Sequence, residues 1–166
     1  EIGNLEAELP ITSDLQASAA KLKTFLWNAD STPYTESIET PLSVDLIGDK
    51  QLDIFIHIGQ SNMSGRADIS SSEKGAIERS YLFNNDKRWS VASQPMNKYS
   101  ILGDTSAQIK MGPSYTFATT LAANLPDTYF GHIVNAKGGS SITAWQKGGF
   151  YYDNTMEKAK EAQKYG

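Results

Sequence analysis

Beyond the first third of the chain, the order of apolar and polar positions is that of an α/β domain. The run Asp53–Ile58 predicts a buried strand, and 80–83 and 128–134 predict two more. A polar turn at 84–87 leads into a further short extended stretch at 88–91. Since strands alternate with helices along this part of the chain, we expect an α/β fold with a mostly parallel sheet.

Two helices are predicted, one before and one after the strand at 128–134. Pro113 suits the first turn of a helix, because its missing N–H costs nothing there. Apolar residues then recur at four-residue spacing and predict a buried face, formed by Phe117, Leu121 and Leu125 with Ala118 and Ala122 beside them. Asn154–Glu157 fits a capping box, which predicts a second helix over Met156–Tyr165 that ends at Gly166.

The first 48 residues show no helix pattern of useful length and predict a β-rich segment. Lys21–Trp27 has strand composition, 28–33 is a turn cluster, and Ser37–Leu42 fits an edge strand with Pro41 near its end. These features resemble the closing strands of a small β-sandwich module; a disordered acidic leader is the alternative. Because the composition changes near 48–50, we divide the chain into residues 1–48 and 49–166.

Composition and charge exclude several classes of function. The net charge is −4, with nine acidic and three basic side chains in residues 1–50, and no basic cluster points to nucleic acid. The chain has no cysteine, which removes disulfides, thiol catalysis and cysteine metal sites. No apolar run approaches the roughly 20 residues that span a membrane. No signal peptide is visible, although a processed secreted protein would also lack one.

The most informative chemistry lies in the segment Gly59–Gly65, with the sequence Gly-Gln-Ser-Asn-Met-Ser-Gly. Ligands bind in open α/β sheets at the carboxyl ends of the strands, so Ser61 lies where a nucleophile belongs. Gly59 permits a sharp turn, and Gly65 permits close approach of another segment. From the pattern Gly-x-Ser alone, a turn built from small polar residues remains the alternative.

The blocks along residues 51–166 resemble, in order and spacing, the sialate O-acetylesterase-like branch of the SGNH hydrolases, which includes acetylxylan esterases. The first block is 53–65. The later blocks are Phe83-Asn84, Trp89, Ala92, Met111–Ser114, Phe117-Ala118, Gly138–Ile142 and Trp145. The resemblance implies a flavodoxin-like three-layer α/β/α sandwich, incomplete in this chain, that is preceded by the β segment.

The resemblance implies acyl transfer by serine. Ser61 would attack the acetyl carbonyl of an O-acetylated carbohydrate, and water would release the acetyl group. In the family, the oxyanion is bound by the serine N–H, a glycine N–H and a side-chain amide; the first two correspond to Ser61 and Gly112. Gly112 also precedes a predicted helix N-terminus, where unpaired N–H groups favour an anion.

Six further residues are expected to contact the substrate. Arg66 and Trp145 would contact sugar, since aromatic faces stack on pyranose rings; a solvated arginine and a core tryptophan are the alternatives. The glycine-rich loop that contains Gly139 and Ser140 would line the acyl or sugar pocket. The complete set is Gln60, Asn62, Arg66, Gly139, Ser140 and Trp145.

The sequence departs from the family where the general base should be. The Gln-Gly-Glu block and the Asp-x-x-His block, which carry the amide, the base and its orienting carboxylate, are absent. His57 and His132 lie inside predicted strands, away from the edge that Ser61 faces, so we interpret both as structural. A base must come within roughly 3 Å of the serine.

The missing base leaves three explanations: an N-terminal piece of a longer enzyme, a chain completed by a second chain, or a non-catalytic relic. We expect an esterase that acts on sialate or on a plant polysaccharide such as xylan, with no cofactor, no metal, no nucleic acid and no membrane. The alternative is a carbohydrate-binding or structural module that keeps the fold without turnover. For the esterase we expect a secreted or periplasmic location.

Overall fold

The computed structural model describes residues 21–24, 38–41, 47–102 and 110–166. The chain divides into two compact units, Glu1–Val44 and Asp45–Gly166. In the first unit, strand β1 (Lys21–Thr24) pairs antiparallel with strand β2 (Ile38–Pro41).

Part of the prediction for the first unit concerns residues that the structure does not describe. The turn cluster at 28–33 and the aromatic end Phe25–Trp27 lie outside the described residues. The β-sandwich interpretation and the boundary at residue 48 therefore stay predictions.

A mixed four-stranded sheet forms the second unit, in the order β3-β6-β4-β5. Its strands are β3 (Leu52–Gly59), β4 (Ala76–Phe83), β5 (Trp89–Ser93) and β6 (Tyr129–Ala136). β6 is parallel to both β3 and β4, and β5 is antiparallel to β4. The predicted strands are thus confirmed, although β4 begins at Ala76 rather than at Ser80. The early part of β4 carries the charged residues Glu78 and Arg79, which obscure the strand pattern in the sequence. The pairing of β4 with β5 is also irregular between Ala76 and Tyr81.

Helices cover both faces of the sheet. Alternate side chains of β6 point to opposite faces, so each set packs against a different helix. Phe130 and Val134 pack with Ala118 and Ala122 of helix α2 (Pro113–Asn124). Ile133, between them, packs instead with Ala159 and Ala162 of helix α3 (Phe150–Ala162). The α/β class and its three layers are as predicted.

The strand order adds a detail that the sequence did not provide. In flavodoxin-like sheets, the first strand of the domain lies between the second and the third. Here β6 occupies the middle, and β3 has β6 as its one partner among the described residues. The segment after β3 therefore lies beside the carboxyl end of β6.

The predicted buried face of α2 is wrong in detail. The buried residues are Ser114, Ala118 and Ala122, whereas Phe117 and Leu125 are 40% and 44% exposed. Small side chains on this face let the helix lie close to the sheet. Phe117 lies at the margin, where its ring meets Phe55 edge-on at 5.0 Å between centroids.

The predicted start and end of α3 are also wrong. The helix begins at Phe150 after Gly149, so Asn154 and Thr155 lie inside it rather than at a capping box. Their side chains donate back to the carbonyl oxygens of Phe150 and Tyr151, four residues earlier. Such bonds let polar residues that favour caps sit in a helix interior. The helix ends at Ala162, before Gly166.

Two histidines form a buried pair on the face of the sheet that α2 covers. His57 Nε2 lies 3.1 Å from His132 Nδ1, so one neutral ring donates to the other. Phe117 meets the His57 ring edge-on, and Phe55 stacks on His132. Burial lowers the pKa of His57 to about 4. Burial and the nearby His57 lower the pKa of His132 to about 3.

We expect acid to destabilise this domain before its carboxylates titrate. Both histidine pKa values are depressed in the folded chain, so their contribution is complete above the ordinary value of about 6.5. This contribution to stability is lost as the pH falls toward the pKa values of the folded chain, because the unfolded chain then binds protons that the folded chain does not. The urea midpoint should therefore fall between pH 7 and 5. The urea midpoint of the variant His57→Gln, whose side chain still forms hydrogen bonds but does not titrate, should depend less on pH. Equal pH dependence in both proteins would contradict this assignment.

Candidate active site

Ser61 opens a single helical turn, α1 (Ser61–Ser64), directly after β3. Its backbone N–H donates to Gln60 Oε1 at 2.9 Å, and its hydroxyl donates to the same oxygen at 2.6 Å. Both donors of Ser61 therefore converge on one amide oxygen outside the helix. A substrate oxygen that approached the Ser61 N–H would take the place of this Gln60 contact.

The turn is held against a second segment by a short antiparallel bridge between Ala67 and Met111. Met111 donates its N–H to the Ala67 carbonyl oxygen at 2.9 Å, and its own carbonyl oxygen accepts from the N–H groups of Arg66 and Ala67. Gly65, at φ +102°, has no room for a side chain, since a Cβ there would collide with the Lys110 carbonyl. The bridge thus fixes residues 110–112 beside the Ser61 turn.

Gly112 is the residue that this approach brings closest to the turn. A Cβ at Gly112 would lie 2.7 Å from the Met63 carbonyl oxygen and 3.2 Å from that of Asn62. Gly112 is also the N-cap of α2, and its N–H makes no hydrogen bond among the described residues. Pro113 itself offers no N–H, so the donor at this end is the Gly112 N–H, which lies at the positive end of the α2 dipole against the turn that Ser61 opens.

The loop after β6 starts at the same edge of the sheet. Its Lys137 N–H donates to the Gly59 carbonyl oxygen at 3.0 Å. The Ser140 hydroxyl donates to the Lys137 carbonyl oxygen and accepts from the indole N–H of Trp145 at 2.9 Å. The Trp145 ring lies 5.2 Å from that of Tyr151, centroid to centroid. Ser140 therefore organises the loop, and Trp145 is half-buried against α3 rather than inside the core.

The remaining predicted site residues lie either near the Ser61 turn or in the loop after β6. Asn62 is exposed within α1, and the Arg66 guanidinium donates to the Gly65 carbonyl oxygen at 2.7 Å. Gly139 has φ +72° with open space above it. The structure thus brings Gln60, Ser61, Asn62, Arg66 and Gly112 together around one turn. It places Gly139, Ser140 and Trp145 in the loop that begins beside Gly59.

No general base contacts Ser61 in the part of the chain that the structure describes. The hydroxyl pairs with Gln60, while His57 and His132 pair with each other in the interior. Within the same residues, no group of three or more His, Asp or Glu side chains could hold a metal ion. None of the described helices has the length and apolar character needed to cross a bilayer.

Sequence reasoning missed a buried polar residue behind the turn. Asn97, in the short 3₁₀ helix Met96–Tyr99, donates to Ser64 Oγ at 3.2 Å and accepts from the Ala136 N–H at 3.1 Å. Asn97 lies in an irregular stretch without apolar periodicity. An asparagine there gives no signal that distinguishes a buried cross-link from a surface loop.

Comparison with known proteins agrees with this arrangement of blocks. Residues 51–165 match the family described as carbohydrate esterase, sialic acid-specific acetylesterase. The chain belongs to this carbohydrate esterase family. The match spans both sides of the candidate site, from the start of β3 to the end of α3.

One relative found by sequence comparison is the probable carbohydrate esterase At4g34215 of Arabidopsis thaliana. It is 28% identical over 129 residues, which cover 68% of this chain and 48% of the plant protein. The X-ray structure of the Arabidopsis protein matches with a TM-score of 0.58 at 26% identity, over 67% of this chain and 51% of that one. The chain thus spans about half the length of this carbohydrate esterase.

Two of the glycines with positive φ near the site, Gly65 and Gly139, should respond differently to alanine. At Gly139 a Cβ meets nothing, so Gly139→Ala should cost only the backbone strain, about 1 kcal/mol of unfolding free energy. At Gly65 the same strain adds to a backbone collision, so Gly65→Ala should cost at least about 2–3 kcal/mol. Urea unfolding of both variants measures the difference. Equal losses would show that the backbone at Lys110 moves away from the added methyl group at little cost.

Proposed function

We propose that the chain carries the nucleophile and the oxyanion donors of a serine esterase that removes O-acetyl groups from carbohydrate. The observation that supports this most is the contact of Gly112 with the Ser61 turn. The Gly112 N–H, which has no hydrogen-bond partner among the described residues, lies at the start of α2, where this helix packs against the turn that Ser61 opens. Donors preset for a developing oxyanion are worth about 10²–10³ in rate each.

The proposed reaction has two steps. Ser61 Oγ attacks the acetyl carbonyl carbon while a base takes the hydroxyl proton, and the carbonyl electrons move to an oxyanion held by the N–H groups of Ser61 and Gly112. The bond to the sugar oxygen then breaks, and that oxygen receives the proton from the base. Water attacks the acetyl-Ser61 ester in the same way and releases acetate.

We propose that the base and its orienting carboxylate belong to a longer form of the chain or to a second chain, because both histidines of this sequence pair with each other in the interior. One surface favours such a completion. β3 has a free edge among the described residues, and its Ile56 and Ile58 are 42% and 40% exposed. An unpaired apolar edge strand is a poor surface to leave in water. For the 166-residue chain alone we expect negligible turnover and marginal stability.

The substrate would lie between the Ser61 turn and the loop after β6. Gln60, Asn62 and Arg66 would contact the acetyl group and nearby hydroxyls from one side. Gly139 leaves open space on the other side, and Trp145 presents a ring that Ser140 and Tyr151 orient. We propose sialate or an acetylated plant polysaccharide such as xylan as the substrate, and a secreted or periplasmic location.

The absence of a base near Ser61 within the described residues favours a second candidate function. A module that retains the fold could bind carbohydrate, or serve a structural role, without turnover. It would share the loop with Trp145 but would have no use for free donors at Gly112. Reaction of Ser61 with a mechanism-based reagent separates the two candidates.

In the longest natural form of the chain, a serine-directed phosphonate should add one group at Ser61. The reaction mimics acylation, because the reagent's phosphoryl oxygen occupies the oxyanion site. Intact mass and peptide mapping locate the adduct. Ser61→Ala should abolish both the adduct and acetyl ester hydrolysis, and Ser72→Ala, at an exposed serine of the 3₁₀ helix 71–73, should retain both. A folded, unlabelled parent protein would exclude the esterase.

Trp145→Ala should weaken binding of acetylated sugar more than it slows chemistry. A ring contact of this kind is worth about 0.5–1.5 kcal/mol, so KM for the carbohydrate should rise about 3- to 10-fold. The kcat for a small activated acetyl ester, which makes no sugar contact, should stay within twofold. An equal loss for both substrates would indicate that Trp145 supports the loop rather than the sugar.

A further inference from the structure

We infer that Asn97 is a positioning residue for Ser61, because it ties the turn that carries the nucleophile to the end of strand β6. The catalytic consequence rests on the proposed function, but the cross-link itself is a feature of the fold. Asn97 is 1% exposed, so it does not reach substrate.

Both ends of the Asn97 amide are used. Nδ2 donates to Ser64 Oγ at 3.2 Å and, more weakly, to the Ala136 carbonyl oxygen at 3.4 Å. Oδ1 accepts from the Ala136 N–H at 3.1 Å. Asn97 thus holds the main chain of the last residue of β6 and the side chain of the last residue of α1 at once. Ser64 is itself 1% exposed, so the bond lies out of water, where it is stronger.

A restraint on Ser64 acts on Ser61 because both belong to one helical turn. The Ser64 N–H donates to the Gln60 carbonyl oxygen, and the Gly65 N–H donates to that of Ser61, each at 3.0 Å. Four residues are far too few for a helix to be stable alone. The turn therefore depends on tertiary contacts for its position, and Asn97 supplies a buried polar one at Ser64.

The β6 contact links this turn to the second part of the site. Ala136 is paired with Gly59 in the sheet, and the next residue, Lys137, begins the loop that carries Gly139 and Ser140. One amide therefore fixes the nucleophile turn relative to the loop across from it. Displacements of about 1 Å in a reacting group can lower the rate about 100-fold.

The test compares two variants in the longest natural form of the chain. Asn97→Ala removes the amide, and Ser64→Ala removes its hydroxyl partner with a smaller change in side-chain volume. Each should lower kcat for a small activated acetyl ester about 10- to 100-fold, with KM within twofold. Each should slow phosphonate labelling of Ser61 by the same factor. The double variant should be about as slow as Asn97→Ala alone, since Asn97→Ala already removes the contact with the Ser64 hydroxyl.

Asn84→Ala is the matched control. Asn84 is 9% exposed, its Nδ2 donates to Ser90 Oγ at 2.8 Å, and its Oδ1 accepts from two backbone N–H groups, yet it does not contact the Ser61 turn. It should lower the unfolding midpoint while kcat stays within threefold. If Asn97→Ala fails to fold, Ser64→Ala decides.

Two results would overturn the inference while leaving the esterase intact. One is full kcat and full labelling rate in Ser64→Ala. The other is an equal loss of kcat in folded Asn84→Ala and Asn97→Ala, which would mark a general effect of lost stability. A folded parent protein that neither turns over nor labels would instead remove the proposed function, and with it the positioning role.

Discussion

The candidate site depends on one close backbone approach, in which residues 110–112 lie directly against the turn that follows β3. Side chains would prevent it at two positions, since a Cβ at Gly65 would meet the Lys110 carbonyl and one at Gly112 the Met63 carbonyl. The bridge between Ala67 and Met111 holds the segments once they meet. This approach brings the N-terminus of α2, whose Gly112 N–H has no partner among the described residues, against the turn that Ser61 opens.

Small residues also allow close packing beneath this backbone contact, where α2 lies on β6. Ala118 and Ala122 let α2 lie on β6, and Ser114 and Ser64 fill the space beneath the turn without adding bulk. The polar groups that this packing buries are matched by amides, with Asn97 on Ala136 and Ser64, and Asn135 on Thr155 and Ser100. Such a site gains rigidity from satisfied buried polar bonds, and it would lose that rigidity if one partner were removed.

Much of this could be predicted from the sequence, and the failures have a common cause. Strands β3 and β6, the start of α2 at Pro113 and the Ser61 turn follow local rules of period, proline position and glycine turn. The buried face of α2 was predicted around Phe117, Leu121 and Leu125 with Ala118 and Ala122 beside them; the two alanines are buried as predicted, whereas Phe117 and Leu125 are exposed, because hydrophobicity was taken as a measure of burial. Asn97 and the position of β6 in the sheet have no local signature, since contacts between distant segments decide them.

The geometry also separates two parts of serine catalysis that are usually described together. The proposed nucleophile, Ser61, and the proposed oxyanion donor, Gly112, lie at the starts of α1 and α2, on segments joined by backbone contacts, whereas no described residue is placed as a base for Ser61. Members of a catalytic triad act as a unit, so a serine without its base loses nearly all of the triad's contribution. An oxyanion site with bound substrate still retains about 10³–10⁴-fold over water. Backbone contacts among the described residues therefore suffice to hold Gly112 against the Ser61 turn, whereas the proposed turnover also requires a base.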